Sequence, residues 1–418
     1  MKKQVLYSII LLILLNYKIE AQTDLLLSKV SYELDFRFRA EQDWSSKKFD
    51  GNLREDRTRL RYRLRTGATF KNEWYSLGFR IRTGDQNKQQ DPQLTIGKGF
   101  EEFGTLPLGF EKIFFQGIHG GLKYWLGKNS YSFEKNNELF WSDNVFPEGV
   151  FLEHNLKLSN LIFENIILRG SHYILSSNGK SFFKDAYFQG IQSSIIFQDE
   201  RFKMFPGIYN LRNIPNIPDG NHSFELDYSI IHIGAKLKAL KSKNLFVDFD
   251  FYQNIEDYRS NENISDAFSE EKTGYSIGIQ FGSFKQTKDL KFKITYAKLE
   301  KYAALDYMAQ NDWARWDYSA FNSPDGRLTN FKGIEIVIGY NISKKINVIA
   351  KYYNIKQIIP TGEFKETEAN EALEWMMTSL RPSFGIIFEN DNEERQFTRR
   401  AIDKFEREFT DDAEKRFA

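Results

Sequence analysis

The chain has no cysteine among its 418 residues. That excludes a disulfide framework and any thiolate-ligated metal site. It also has almost no excess charge, with 58 Lys and Arg against 57 Asp and Glu, a net charge of +1. A near-neutral chain offers no bulk field to gather DNA, RNA or an anionic membrane, so no nucleic-acid partner is expected. Histidine is scarce: His119, His154, His172, His222 and His232 show no HExxH spacing. There is no GxSxG elbow, and Gly97-Lys98-Gly99 lacks the phosphate-loop pattern. No catalytic residues, metal or cofactor are therefore expected. Long apolar runs are missing too. After the first residues, no stretch approaches the ~20 apolar residues that a spanning helix needs.

The N-terminus gives the first positive signal. Lys2 and Lys3 precede an apolar run over residues 5–15, and Ala21 supplies a small residue for cleavage before Gln22. The run is too short to span a membrane as a mature helix. Residues 1–21 read as a secretory signal peptide, and the remainder is expected to be exported.

Aromatic residues reach 16%, with 38 Phe and 21 Tyr, yet the mean hydropathy is −0.53. That combination suits a transmembrane barrel, in which only alternate residues meet lipid. The clearest stretch is residues 57–66. Arg57, Arg59, Arg61, Arg63 and Arg65 alternate with Thr58, Leu60, Tyr62, Leu64 and Thr66. On a strand all five arginines share one face. They cannot lie unpartnered in a dry core, whereas a water-filled lumen accommodates them. Residues 32–39 alternate likewise, with Arg37 and Arg39 on the polar face and Tyr32, Leu34, Phe36 and Phe38 opposite. Residues 76–82 place Arg80 and Arg82 against Leu77, Phe79 and Ile81. Neighbouring strands sit about 4.8 Å apart, so these side chains are expected to form one dense basic wall. Glu33, Asp35 and nearby loop carboxylates are its candidate counter-ions, and paired with them the arginines would only rigidify the wall.

With these, the chain offers about sixteen strand candidates in all, the last over residues 381–388. Tight turns are expected near residues 71–72, 119–121, 159–160, 198–200, 240–243, 285–288 and 341–344. Longer polar connections are expected over 41–56, 84–108, 128–149, 176–180, 210–221, 254–272, 301–330 and 356–379. Strands are less clean over 161–169 and 182–197. The alternation of long and short connections favours an all-β, antiparallel transmembrane barrel over residues 22–388. Residues 389–418 are highly charged, with Phe397, Ile402, Phe405, Phe409, Ala413 and Phe417 at spacings of three to five. This predicts a short C-terminal amphipathic helix in a periplasmic tail, a candidate contact for a periplasmic partner.

The connection over residues 128–149 stands apart. It carries Glu134, Glu138, Asp143 and Glu148 together with Phe133, Phe140, Trp141 and Phe146. A loop with so much apolar surface is expected to pack. Folded inward, it would point carboxylates across the pore at the arginines and act as a constriction.

The signal peptide, the run RTRLRYRLRTG followed by WYSLGFRIRTGD, the segment GKNSYSFEKNNELFWSDNVFPEGV and the late FKGIEIVIGYNISKKINVIAKYYNIKQ resemble the porin family of Gram-negative outer membranes. A more distant resemblance is to alginate-export barrels, which share an arginine-rich lumen. The likeness covers most of the mature chain. It implies an outer-membrane channel for passive diffusion of small hydrophilic solutes, with the third outer loop as constriction. It also implies outer-membrane lipid as surroundings and, by analogy with general porins, a homotrimer as a candidate assembly. Such barrels end on an aromatic residue that closes the last strand; Phe388 fills that place here, with a charged tail after it. Two alternatives stand beside this reading. One is a dedicated channel for acidic sugars, with arginines binding carboxylates and Trp141 stacking on sugar rings. The other is a non-conducting barrel that binds partners through its loops.

Overall fold

The computed structural model describes residues 29–46, 53, 55–87, 90, 92–97, 105–158, 163–177, 181–197, 201–216, 224–240, 244–309, 312–314, 328–359 and 379–388, the last segment by its backbone alone. The expected signal peptide and C-terminal helix lie outside the described residues.

The strands form one antiparallel sheet. In chain order they are β1 (Val30–Asp43), β2 (Arg57–Lys71), β3 (Tyr75–Thr83), the two-residue β4 (Leu94–Thr95), β5 (Leu108–His119), β6 (Leu122–Lys128), β7 (Glu148–Lys157), β8 (Phe163–Ser176) and β9 (Ala186–Phe197). They continue as β10 (Phe202–Pro215), β11 (Glu225–Leu240), β12 (Leu245–Asn254), β13 (Thr273–Gly282), β14 (Leu290–Leu299), β15 (Phe331–Ser343), β16 (Ile346–Gln357) and β17 (Ser379–Phe388). Sixteen of these are long. Each long strand pairs with its sequence neighbours, β3 passing on to β5 while β4 lies against β2. The last strand pairs with β16 on one side and with β1 on the other, where Phe388 stands opposite Phe36.

Alternation of side chains sorts the residues onto two faces. Leu34, Leu77, Phe110, Ile191, Ile208, Ile279, Leu290 and Ile338, spread over eight strands, are exposed on the outer face. Arg61, Arg63, Gln192, His232, Asp250, Ser276 and Thr295 are buried on the inner one. An apolar outside around a polar inside inverts the usual soluble arrangement.

The connections alternate as the sequence predicts. Turns after β2, β5, β7, β9, β11, β13 and β15 are short; those after the remaining long strands are longer. Three boundaries differ from the sequence reading. The first strand runs on to Asp43, so Glu41 and Asp43 belong to the wall and not to a polar connection. The stretch expected as a loop from residue 210 remains strand to Pro215. There a register shift between Leu211 and Ile214 absorbs Asn213, whose φ is 56°. Its amide donates to Asp227 Oδ1 at 2.9 Å, so a bulge carries the ladder through residues that look like a turn. Residues 182–184 form a 3-10 turn ahead of β9 and are not its start.

Candidate functional site

The basic wall comes from register. Arg39 stands opposite Arg61 and Arg37 opposite Arg63, while Asp35, Glu41 and Asp43 stand opposite Arg65, Arg59 and Arg57. On the next strand Arg82 faces Arg65. Like charges directly opposite destabilise a sheet unless something bridges them. Carboxylates from the same strands do so. Glu41 lies 3.0 Å from Arg39, 2.7 Å from Arg59 and 3.5 Å from Arg61. Asp43 holds Arg57 at 2.7 Å, and Asp35 pairs with Arg63 and reaches Arg65 at 3.8 Å. Glu33 lies 3.7 Å from Arg80. Glu111 of β5 lies 2.6 Å from Arg65, 2.7 Å from Arg80 and 3.8 Å from Arg82. The expected counter-ions Glu33 and Asp35 are therefore joined by Glu41, Asp43 and Glu111, which the sequence reading did not name.

The inner face of β6 to β12 has a different chemistry. Trp125, Phe151, Tyr173, Phe188, Tyr209, His232 and Tyr252 follow one another across these strands. Trp125 stacks on Tyr173 at 5.5 Å, Tyr173 on Phe188 at 5.5 Å, Phe188 on Tyr209 at 5.5 Å and His232 on Tyr252 at 4.5 Å. All seven are buried. Stacked rings of this kind gain energy beyond their area.

The connection over residues 129–147 folds inward against these rings. Phe140 stacks on Tyr252 at 5.0 Å and on Tyr209 at 5.1 Å. Phe133 meets Phe151, Phe188 and Tyr209. It sits against Gly190, where a Cβ would stand 2.6 Å from its ring, so glycine is needed for this approach. Polar contacts fasten the loop as well. Asn137 donates to Asp250 Oδ2 at 2.9 Å and to Ser276 Oγ at 2.8 Å. Asn136 donates to the carbonyls of Ala235 and Phe249, each at 3.0 Å. Gln192 exchanges hydrogen bonds with the backbone of Glu134 and donates to Tyr209, whose hydroxyl is 3.1 Å from His232. At the loop's other flank Arg65 donates to Asn144 Oδ1 at 2.8 Å. Phe146 lies under Arg65, Arg80 and Lys112, their charged ends 5.9, 5.1 and 5.4 Å from its ring centre.

The loop residues singled out from sequence have distinct places. Glu134 faces β8 and β10 and not the ladder; it lies 3.1 Å from Lys203 and 3.7 Å from Arg169. Burial alone would raise its pKa, but Lys203 and Arg169 outweigh that and hold it below the usual glutamate value. Glu138 accepts from the Asp143 amide at 2.8 Å. Its burial, with Asp143 nearby, pushes its pKa up. Asp143 pairs with Lys135. Burial would lift Asp143 too, but Lys135 outweighs it and holds the carboxyl low. Trp141 is 1% exposed, stacks on Tyr131 at 4.5 Å and donates to the Val145 carbonyl. It is an internal anchor of the loop and presents no open ring face. Glu148 opens β7 and pairs with Lys128 at an exposed position.

A second inward segment lies where the sequence predicts only a polar connection. In the stretch after β14, Tyr302, Ala303, Ala304, Leu305, Trp313 and Ala314 are buried. The Ser142 amide donates to the Met308 carbonyl at 2.8 Å, joining the two loops. Asp312 lies 3.1 Å from Arg39, and Trp313 packs on Phe331 and Tyr353.

Between wall and loops lies a cavity of about 580 Å³. It is bordered by Arg37, Arg39, Arg61, Arg63, Arg65 and Arg80 on one side and by Glu138, Asp143, Asn144 and Phe146 on the other. Its border extends from Phe284, in the turn after β13, to Gln90 and Asp312 in the connections at the opposite end of the strands. Eleven cationic side chains border it against six carboxylates, so the interior is locally basic although the chain is nearly neutral.

No family model matches the chain, and no curated protein sequence matches it. Solved structures do resemble it. OprB of Pseudomonas putida superposes with a TM-score of 0.51 at 10% identity, covering 88% of this chain and 96% of that one. A triple mutant of the Rhodopseudomonas blastica porin gives 0.47 at 9% identity, covering 86% of this chain and 99% of its own. Another mutant of the same porin gives 0.47 at 10% identity with the same coverage. The similarity to OprB extends over most of both chains and shows a shared porin-like fold.

Proposed function

We propose that this chain is an outer-membrane porin of a Gram-negative bacterium. The sheet is then a closed transmembrane barrel, its apolar outer face set in lipid. Small hydrophilic solutes diffuse passively along the basic wall, and the loop over residues 129–147 narrows their path. One observation carries this reading: a locally basic cavity reaches from the turn end to the loop end of the strands, inside a sheet with an apolar outside. The pairing of β17 with β1 and the porin-like fold support it.

In this reading Arg37, Arg39, Arg61, Arg63, Arg65 and Arg80, which border the cavity, attract anions from in front, Arg57, Arg59 and Arg82 add charge from the wall behind, and Glu138 and Asp143 oppose them across the lumen. The field between them orients dipolar solutes and filters by size and sign. The acidic-sugar alternative loses its stacking platform, because Trp141 is enclosed within the loop. Homotrimer formation and a periplasmic partner for the tail remain parts of the proposal.

The experiment is single-channel recording of the refolded mature protein in a planar bilayer under a salt gradient. Steady ohmic channels with anion preference are expected. Protein that is folded by heat-modifiability but passes no current would overturn the reading and favour a loop-binding barrel.

A further inference from the structure

The alternation of β5 breaks at one point. Arg80 of β3 pairs with Lys112, yet the next residue of β3, Ile81, pairs with Phe110. Glu111 is therefore the extra residue of a β-bulge. Without the bulge, Glu111 and Lys112 would face opposite ways. With it both are buried, at 2% and 3% exposure, between outward-facing Phe110 and Ile113. A bulge in a wall strand costs ladder hydrogen bonds and re-aims a side chain. Here it puts two charged residues into the densest part of the basic wall.

The two charges do different things. Lys112 borders the cavity and lies over Phe146. Glu111 does not border the cavity. It sits behind the arginines, its side chain 1% exposed, and contacts Arg65, Arg80 and Arg82. Arg65 and Arg80 themselves border the cavity. Three guanidinium groups converging on one carboxylate are a ready-made anion site, and here the chain supplies its own anion.

We infer that Glu111 is a specificity-determining residue, a built-in counter-ion that occupies a three-guanidinium anion site behind the lumen and so keeps the pore's grip on passing anions weak. Conduction needs binding strong enough to draw a solute in and weak enough to release it. With Glu111 in place, Arg65 and Arg80 present part of their charge to the lumen. Without it Arg65 and Arg80 present their full charge to the lumen and hold a passing multivalent oxyanion more tightly. The inference rests on the porin reading, and wild-type conductance tests that reading separately.

The test compares wild type, Glu111→Gln and Glu111→Asp in planar bilayers, in chloride with inorganic sulfate added stepwise. Chloride current through Glu111→Gln should be blocked at roughly a tenth of the sulfate concentration needed for wild type, the loss of one charge-assisted contact being worth about a factor of ten. Its chloride reversal potential should move toward stronger anion preference. Glu111→Asp should behave as wild type. Sulfate sensitivity and reversal potential both unchanged in folded Glu111→Gln would overturn the inference. Should that variant fail to fold, E111Q/R82Q removes the hub together with the partner that does not border the cavity. Arg65 and Arg80, which do border it, remain, so it should still show the heightened sulfate block; its absence there overturns the inference too. A wild-type protein that folds but does not conduct would instead refute the porin reading.

Discussion

The basic wall and the aromatic wall are inner faces of the same sheet, yet one borders open space and the other is filled. The difference lies in how each chemistry is satisfied. A guanidinium group needs acceptors in the plane of its fork, and β1 and β5 supply them from the wall itself: Glu41, Asp43, Asp35 and Glu111. The loops add only a few partners, such as Asn144 and Asp312, so the space in front stays open. Rings are satisfied by other rings. Tyr209 and Tyr252 take Phe140 from the loop between them, and Phe151 and Phe188 take Phe133. The aromatic half therefore grows inward until it meets the basic half, and the cavity is pressed against one side.

The largest break in this comparison comes from the basic wall. Replacing Arg61, Arg63, Arg80 and Arg82 together by Ser leaves Asp35, Glu41 and Glu111 with fewer partners. Selectivity should shift toward cations, read as a displaced reversal potential under a salt gradient; an unchanged potential would remove these arginines from the lumen.

On the aromatic side, Trp141→Ala empties a position that is 1% exposed. It should lower stability by about 3–5 kcal/mol, measured by urea unfolding in lipid, with noisier current from a loosened loop. Asn137→Leu keeps the rings but leaves Asp250 and Ser276 without their shared donor. A loss of about 1–3 kcal/mol is expected, with conductance steps that flicker. A stable, quiet Asn137→Leu channel would mean that the rings alone hold the loop.

A smaller effect concerns pH. The Glu138 carboxyl is pushed up by burial and by Asp143, whereas Lys135 holds Asp143 low. As pH falls, Glu138 takes its proton above the usual glutamate range while Asp143 stays charged. The lumen loses one negative charge, so anion preference should rise in that window. Because the folded form binds this proton more tightly, the loop is favoured as pH drops through the raised value and loses that contribution as pH climbs past it. Glu138→Gln should abolish the step in reversal potential. Least of all, Glu148→Gln touches only the exposed pair with Lys128. It should change stability by under about 1 kcal/mol and leave selectivity alone.

Much of this contrast was legible in the sequence. Strict alternation over β2, β13 and β14 gave their faces directly, because a strand with one apolar side has one way to lie. The crowding of rings in residues 129–147 announced a packed loop. The rest depended on register and on contacts between distant segments. Nothing local says that Glu41 lies opposite Arg59. The arrangement of Glu111 was half visible, since Phe110 and Ile113 are three apart where a regular strand puts apolar residues at even spacing. The inward fold of the stretch after β14 left Tyr302, Leu305 and Trp313 among its alanines as a trace, without a strand period to give it a direction. Trp141 is legible as one of the loop's packing rings, but its partners on β8 and β9, Tyr173 and Phe188, are not.

Asn137 reaches Asp250 across 113 positions of the chain and Ser276 across 139. Contacts that distant cannot form until the intervening strands exist and have found their places. The last fastenings of the segment over residues 129–147 must therefore wait while seven further strands are laid down. Its final seating is a late event in the life of the chain, and a natural signal that the second half of the sheet has been assembled in the right order.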